Sequence, residues 1–214
     1  MNGKRTVKIA VFVSGGGTNL QALIDAERSG VIKSGKIELV ISSNPNAYAL
    51  ERAEKADIPT AVVSKKAIGS QEGFEAEIKN LLNKNGIELI VLAGFMNILS
   101  EDFTKDYPER IINVHPSLIP SFCGKGFYGL HVHEAALEKG VRVSGATVHI
   151  VTPECDAGPI VLQKAVEVKQ DDTPESLQKR IMEEAEWKIL PEAVRLFCEG
   201  RISVRDHKVY IKGE

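Results

Sequence analysis

Two polar side chains stand at the end of a short apolar run, at a spacing that lets them act together. The run covers residues 110–118 (RIINVHPSL) and contains Asn113 and His115. Residues two apart in an extended strand project from the same face of a sheet, so an amide donor and a titratable imidazole would meet there. Ligands of open α/β sheets bind at this carboxyl end of the strands, which favours a catalytic role. A structural role also fits, with His115 hydrogen-bonded in the core and Asn113 forming a turn before Pro116.

A glycine-rich segment near the start of the chain predicts a binding site for phosphate. Residues 14–19 (SGGGTN) follow an apolar run and precede a helical pattern. Glycines let the backbone turn tightly and expose consecutive N–H groups, and the helix adds the positive end of its dipole. Thr18 and Gln21 match a capping box, which would fix the start of this helix. A tight turn that binds nothing is the alternative.

The ligand indicated by this segment is a monophosphate. The dinucleotide motif needs a small residue where this chain has Leu20, and an acidic residue after the second strand, where residues 42–45 are SSNP. No Gly-Lys-Ser/Thr sequence follows the glycines, which argues against a nucleoside-triphosphate loop. NAD is left as a minor alternative.

Apolar runs alternate with helical patterns through most of the chain, which is typical of an α/β protein. We expect a mostly parallel, Rossmann-like sheet with helices on both faces and a mixed C-terminal part, in a single domain over residues 1–214. Thr173 and Pro174 would begin a long helix as its N-cap and first residue. The predicted strands are 7–13, 37–42, 60–63, 89–93, 111–114, 144–151 and 160–168. The predicted helices are 18–29, 47–56, 72–84, 131–139 and 174–199. Residues 202–211 would form a hairpin.

The overall composition excludes several classes of protein. The 214 residues carry 27 Lys and Arg against 29 Asp and Glu, a net charge of −2 without the basic clusters of a nucleic-acid-binding protein. No apolar run approaches the ~20 residues of a membrane span, and the first residues lack the apolar core of a signal peptide. We therefore expect a cytoplasmic protein with no nucleic-acid or membrane partner.

Neither the cysteines nor the histidines form a metal-binding pattern. The three cysteines are odd in number and have no paired spacing. His131 and His133 lie two apart, but no carboxylate or cysteine has matching spacing, so we interpret both as surface residues and expect no metal. His149 fits either an ordinary sheet position or the same cleft as His115.

Four segments, taken in order, resemble the folate-dependent formyltransferases. They are residues 14–20, residues 92–99 with the sequence AGFM at 93–96, the Asn-x-His-Pro-Ser-Leu element at 113–118 and the Asp-x-Gly-Pro element at 156–159. The last two are specific to the wider family, and the first two point to its glycinamide branch. The resemblance covers nearly the whole chain. It implies transfer of the formyl group of 10-formyltetrahydrofolate to the amino group of 5-phosphoribosylglycinamide, in purine synthesis.

The resemblance also implies roles for particular residues. Asn113, His115 and Asp156 match the catalytic residues of the family. Its ligand-binding positions fall on two sets in this sequence, which are Gly17, Thr18, Asn19, Glu183 and Glu186 for the phosphate and ribose of the substrate, and Gln71, Met96, Asn97, Ile98, Leu99 and Asn113 for the folate. Some relatives have arginine in place of Asn97 and near Gln71, and a shorter loop than residues 121–130. Residues 1–110 would then form the phosphate-binding half, and residues 111–214 the folate-binding and catalytic half.

The implied reaction is attack by a neutral amine on the formyl carbon, with negative charge developing on the formyl oxygen. The amide of Asn113 and a protonated His115 would donate to that oxygen, and the carboxylate of Asp156 would raise the pKa of His115. Both substrates are small molecules, and the chain would act as a monomer or a homodimer. Two alternatives are a formyltetrahydrofolate deformylase, which transfers the formyl group to water, and a phosphate-binding module without catalytic activity.

Overall fold

A seven-stranded sheet forms the centre of the computed structural model, which describes residues 5–213. Its strands are β1 (Val7–Val13), β2 (Gly35–Ser42), β3 (Thr60–Val62), β4 (Leu89–Leu92), β5 (Ile111–His115), β6 (Val143–Ile150) and β7 (Ile160–Glu167). Their spatial order is β3-β2-β1-β4-β5-β6-β7. Strands β1 to β5 run parallel, whereas β6 is antiparallel to both β5 and β7. The prediction of a mostly parallel sheet with a mixed C-terminal part is confirmed.

Helices cover both faces of this sheet. They are α1 (Thr18–Arg28), α2 (Tyr48–Glu54), α3 (Lys65–Ile68), α4 (Gln71–Asn85), α5 (Glu101–Asp106), α6 (Leu130–Lys139), α7 (Pro174–Ile181) and α8 (Trp187–Cys198). A π-helical segment, Met182–Glu186, joins α7 to α8, and a separate hairpin of β8 (Ile202–Arg205) and β9 (Lys208–Ile211) follows. The sequence pattern does not predict α3 and α5, because four and six residues are too few to show a helical period. No helix within residues 5–213 is both long and apolar enough to cross a membrane.

Two apolar cores lie on opposite faces of the sheet, because alternate residues of each strand point in opposite directions. In β1, Ile9, Val11 and Val13 pack in the core that contains residues of α1 and α8, whereas Ala10 and Phe12 pack in the core that contains residues of α4 and α5. A strand that is covered on both faces is apolar throughout, as β4 is. The two layers of helices therefore hold the central strands from both sides.

The order of the strands changes direction between β1 and β4. The chain adds β2 and β3 on one side of β1 and then returns to place β4 and β5 on the other side. Loops that leave neighbouring strands toward opposite sides open a crevice at such a point, which is where open α/β sheets bind ligands. The glycine-rich segment follows β1, residues 93–99 follow β4, and Asn113 and His115 lie in β5. All three therefore meet at one edge of the sheet.

Two predicted helix details are wrong. Helix α1 has no capping box, because Gly17 is its N-cap with a φ of 71° and no side chain caps it. A Cβ at Gly17 would lie 2.6 Å from the Cβ of Ala49, so close packing against α2 sets the start of α1. The long helix begins at Thr173 and Pro174 as predicted, and Ser176 completes a capping box there. The π-helical segment interrupts it over five residues, which are too few to give a distinct sequence period.

Candidate active site

A cavity of about 740 Å³ opens at the edge of the sheet where β1, β4 and β5 end. It is lined mainly by the loop after β4, the end of β5 with the loop that follows, the loop between β6 and β7, and the π-helical segment. Among the residues implied by the family resemblance, those that line it are Asn19, Met96, Asn97, Ile98, Leu99, Asn113, His115, Asp156 and Glu186. Those that lie outside its lining are Gly17, Thr18, Gln71 and Glu183.

Asn113 and His115 both line the cavity from β5, and the neighbouring strand β6 supplies their partners. The antiparallel register places His149 opposite Asn113 and Thr147 opposite His115. The Nδ2 of Asn113 lies 3.1 Å from the Nε2 of His149. The Nε2 of His115 lies 2.8 Å from the carbonyl oxygen of Phe122, which can only accept, so this nitrogen carries a proton.

The Asp-x-Gly-Pro element holds a carboxylate between these two histidines. Asp156 adopts a left-handed backbone conformation with a φ of 55°, which aspartate tolerates better than most residues. Gly158 packs so closely against β6 that a Cβ there would lie 1.8 Å from the carbonyl oxygen of Ile150. The Oδ2 of Asp156 lies 3.6 Å from the Nδ1 of His115, and its Oδ1 lies 3.5 Å from the Nε2 of His149. The tight turn thus aims one carboxylate at two imidazoles.

Burial, rather than Asp156, decides the protonation of His115. Burial lowers the pKa of His115 below its usual value, and the Phe122 carbonyl and Asp156 raise it by less. Asp156 therefore acts on the pKa of His115 in the predicted direction, but the net shift is downward, because the residue is only 4% exposed and Asp156 lies beyond hydrogen-bonding distance. Burial alone would also raise the pKa of Asp156, but the contacts of both histidines and the Gly124 N–H, which donates to Oδ2 at 2.9 Å, lower it to about 2. Asp156 is therefore ionised at neutral pH.

His149 is a site residue that the sequence left undecided. It is 1% exposed, lines the cavity, and has its Nδ1 3.1 Å from the carbonyl oxygen of Ile150. Its place in the site depends on the register between β5 and β6, which no local pattern in either strand specifies.

His133, on α6, is also part of the cavity wall, so its interpretation as a surface residue is wrong. It is fully buried, and among residues 5–213 neither of its ring nitrogens has a hydrogen-bond partner. Burial, with a smaller effect from His115, lowers the pKa of His133 to about 4. The signal that could have found it is the helical spacing of His133, Ala136 and Leu137, which places all three on one face of α6. His131 is exposed, as predicted.

The glycine-rich segment borders the cavity and leaves several backbone donors free. Among residues 5–213, no acceptor receives a hydrogen bond from the N–H groups of Gly16, Gly17 and Thr18. The first N–H groups of a helix have no partner inside the helix, so they are available to an anion. Arg52, on α2, donates from Nε to the carbonyl oxygen of Gly16 at 2.8 Å and from Nη1 to Gln21 at 3.1 Å. No local sequence pattern marks this arginine, because only the packing of α2 brings it to the segment.

Glu186 connects the glycine-rich segment to the cavity. The residue is 6% exposed, and it accepts a hydrogen bond of 2.6 Å from the Nδ2 of Asn19. Burial raises the pKa of Glu186 to about 7, against a smaller opposing effect of Asn19. Glu183 lies on the exposed side of the π-helical segment, 3.9 Å from the Nζ of Lys179, and does not reach the cavity.

The loop after β4 presents apolar side chains at the rim of the cavity. Ile98 is 62% exposed and Met96 is 53% exposed, although both are large and apolar. The N–H of Met96 donates to the Oγ of Ser14 at 2.9 Å, which ties this loop to the glycine-rich segment. Gln71 donates from Nε2 to the carbonyl oxygen of Ile98 at 3.2 Å and so supports the loop from outside the cavity.

The arrangement places hydrogen-bond donors, a buried carboxylate and free backbone N–H groups around one cleft. Within residues 5–213, no three His, Cys, Asp or Glu side chains are grouped as they would be around a metal ion. A site of this kind can hold a phosphorylated molecule at one end and stabilise charge on a reacting carbonyl at the other.

The chain belongs to the formyl transferase family, whose model matches residues 7–194. It is similar to the phosphoribosylglycinamide formyltransferase of Haemophilus influenzae, to which it is 41% identical over 207 residues, with 97% of this chain and 94% of that protein covered. It is also similar to the crystal structure of glycinamide ribonucleotide transformylase 1 from Symbiobacterium toebii, with a TM-score of 0.90, 43% identity, and 96% of this chain and 94% of that one covered. The family predicted from the four sequence segments is confirmed.

Some relatives are much longer proteins. The trifunctional purine biosynthetic protein adenosine-3 of Gallus gallus is 44% identical over 198 residues, which is 92% of this chain but 19% of that protein. The chain therefore spans about a fifth of the length of this relative.

Proposed function

We propose that the chain transfers the formyl group of 10-formyltetrahydrofolate to the amino group of 5-phosphoribosylglycinamide. The observation that carries this proposal is that the glycine-rich segment, through Asn19, and an Asn–His–Asp cluster border the same cleft, in a member of the formyl transferase family. A phosphate site alone would suit many proteins. Catalytic groups far from the phosphate site could not reach the amine of a phosphorylated acceptor that is bound there.

The phosphate of the acceptor would bind the free N–H groups of Gly17 and Thr18, beside the positive charge of Arg52. Its ribose hydroxyls would then lie near Asn19 and Glu186, which are hydrogen-bonded to each other at 2.6 Å. This arrangement supports an extended substrate whose amine points along the cavity toward β5.

The folate would bind against the loop after β4. Exposed apolar side chains are unfavourable in water, and a planar ring that covers them removes apolar surface from water. Met96 and Ile98 would favour folate binding in this way. Leu99 and Asn97 line the same wall. This placement brings the formyl group of the folate to the end of β5.

The reaction forms one carbon–nitrogen bond and breaks another. The lone pair of the neutral amine attacks the formyl carbon, and the carbonyl electron pair moves to the formyl oxygen. The amide N–H of Asn113 and the Nε2–H of His115 would donate to that oxygen, the latter after the Phe122 carbonyl has moved away from it. The carbonyl re-forms as the folate nitrogen leaves, and that nitrogen takes up the proton that the amine gives up. Because the Nε2 of His115 already carries a hydrogen, only its Nδ1 could take up this proton in transit, and the ionised Asp156, 3.6 Å from Nδ1, would stabilise the imidazolium that results.

The decisive experiment separates transfer from hydrolysis and from binding without turnover. The purified protein receives 10-formyltetrahydrofolate with and without 5-phosphoribosylglycinamide, and formate and the formylated amide are both measured. We expect the formylated amide to form only when the amine is present, with little formate in either case. Formate release at the same rate without the amine would indicate a deformylase. Binding of the phosphorylated substrate with no product would indicate a binding module, and Asn113→Ala controls for contaminating activity.

A further inference from the structure

We infer that His149 is a positioning residue, which determines the end of the Asn113 side-chain amide that faces the substrate. This inference rests on the proposed function and adds to it a residue with a defined role. An oxyanion needs an N–H, not a carbonyl oxygen, so an amide that is free to turn would present the wrong end part of the time.

The two side chains form a directly opposed pair across two antiparallel strands. Asn113 on β5 and His149 on β6 are register partners, and both line the cavity. Residues in this relation are close neighbours on one face of a sheet. The register of β6 with β7 shifts between Val148 and His149, and such bulges often re-aim a side chain beside a functional site.

A backbone carbonyl sets the tautomer of His149. Its Nδ1 lies 3.1 Å from the carbonyl oxygen of Ile150, which can only accept a hydrogen bond. The Nδ1 must therefore carry the hydrogen, and the Nε2 of the neutral ring has a lone pair and no hydrogen. Burial of His149 to 1% exposure leaves water little access to change this arrangement.

The bare Nε2 then selects the orientation of the amide. The Nδ2 of Asn113 lies 3.1 Å from it and donates a hydrogen bond. If the amide turned over, its oxygen would face the lone pair of Nε2, which is repulsive. In the neutral ring this nitrogen accepts from the amide, which is its nearer partner. Only in the doubly protonated ring does it carry a hydrogen that can be donated to Asp156, which lies farther away at 3.5 Å. One N–H of Asn113 is thus used by His149, and the second keeps a fixed direction.

Two substitutions at His149 test this role because they keep different parts of the ring. The oxygen of glutamine reaches the position of Nε2, whereas asparagine reaches only the position of Nδ1. Since loss of one oxyanion donor costs about 100- to 1000-fold in kcat, we expect His149→Asn to lower kcat by about 10- to 100-fold, with KM for both substrates nearly unchanged. His149→Gln should stay within about fivefold of the wild type, because it still accepts from Asn113. Equal losses in the two variants, or a rise in KM that accounts for the loss, would overturn the inference.

The double variant shows whether His149 acts through Asn113. In the Asn113→Ala background, His149→Asn should change kcat by less than about twofold, because the amide that it positions is gone. A further loss of tenfold or more would mean that His149 acts on the substrate or through Asp156, and would also overturn the inference.

A measurement on the wild type remains informative even if a variant fails to fold. NMR of protein with ¹⁵N-labelled histidine should show that the neutral ring of His149 is protonated at Nδ1 and unprotonated at Nε2. A proton on Nε2 would contradict the proposed orientation of Asn113. The proposed function is tested separately, because it fails if the wild type forms no formylated amide. The tautomer of His149 can still be measured in that case.

Discussion

Replacement of Glu186 by glutamine should stabilise the protein, and the gain should grow with pH. Burial raises the pKa of this carboxyl from its usual 4.5 to about 7. The folded protein therefore holds the proton more tightly than the unfolded chain does. Between these two pH values the folded state binds more protons, so stability is highest at low pH and falls as the pH rises through the window.

The size of the effect follows from that difference in pKa. At roughly 1.4 kcal/mol per pH unit, the ionised carboxylate costs the folded state about 3 kcal/mol once the pH is above the folded pKa. Glutamine keeps an oxygen that can accept from Asn19 and does not ionise. We expect Glu186→Gln to raise the free energy of unfolding by about 1 kcal/mol at pH 5 and about 3 kcal/mol at pH 8.

Urea unfolding of both proteins at pH 5, 6, 7 and 8 measures this difference directly. Glu184→Gln is the matched control, since Glu184 lies in the same π-helical segment but is exposed. Its effect should be small and nearly independent of pH. A gain from Glu186→Gln that is constant across this pH range would refute the reasoning, and so would an equal slope in the control. The KM for the phosphorylated substrate should rise in Glu186→Gln, because an amide is a weaker acceptor than a carboxylate for ribose hydroxyls.

Three further predictions concern the same cleft. Gly17→Ala should lower the free energy of unfolding by roughly 1–3 kcal/mol and raise the KM for the phosphorylated substrate, because the residue has a φ of 71° and no room for a Cβ. Gly16→Ala is the control, since its Cβ would meet nothing within 4 Å, and it should cost less stability in urea unfolding. Asn113→Ala should lower kcat by about 100-fold or more in steady-state assays while both KM values change little, and a loss confined to KM would exclude an oxyanion role. The unfolded chain protonates His133 below pH 6.5, whereas the folded protein does so only near pH 4, so the free energy of unfolding should decrease as the pH is lowered from 6.5 to 4. In urea unfolding, His133→Gln should reduce this dependence on pH, and an unchanged dependence would show that other groups cause it.

The sequence was informative wherever chemistry depends on neighbours along the chain. Apolar runs, glycines and caps predicted most of the strands, the larger helices and the capping residue Thr173, because those features act over a few residues. The Asn113 and His115 pair was visible for the same reason, since alternation along one strand places both on one face.

What the sequence did not reveal depends on packing between distant segments. The partners of Asn113 and His115 are set by the register of β5 with β6, and Arg52 reaches the glycine-rich segment only because α2 packs against Gly17. The lowered pKa of His115 is a similar case. The attraction of Asp156 could be inferred from the motif, but the larger opposing effect of burial could not, because it depends on what covers the ring.

The electrical asymmetry of the cleft follows from these distant contacts and accounts for the orientation of the proposed substrate. At the end that the glycine-rich segment borders, outside the cavity lining itself, free backbone N–H groups and the guanidinium of Arg52 present positive charge. At the other, Asp156 is ionised because its pKa is about 2, while His133, with a pKa of about 4, is neutral at pH 7. A molecule with a phosphate at one end and an amine at the other is attracted in one direction only, since the reverse orientation would place its phosphate against Asp156. In the proposed reaction, this orientation would place the amine, which is neutral when it attacks, at the end of the cleft that contains the Asn113 amide.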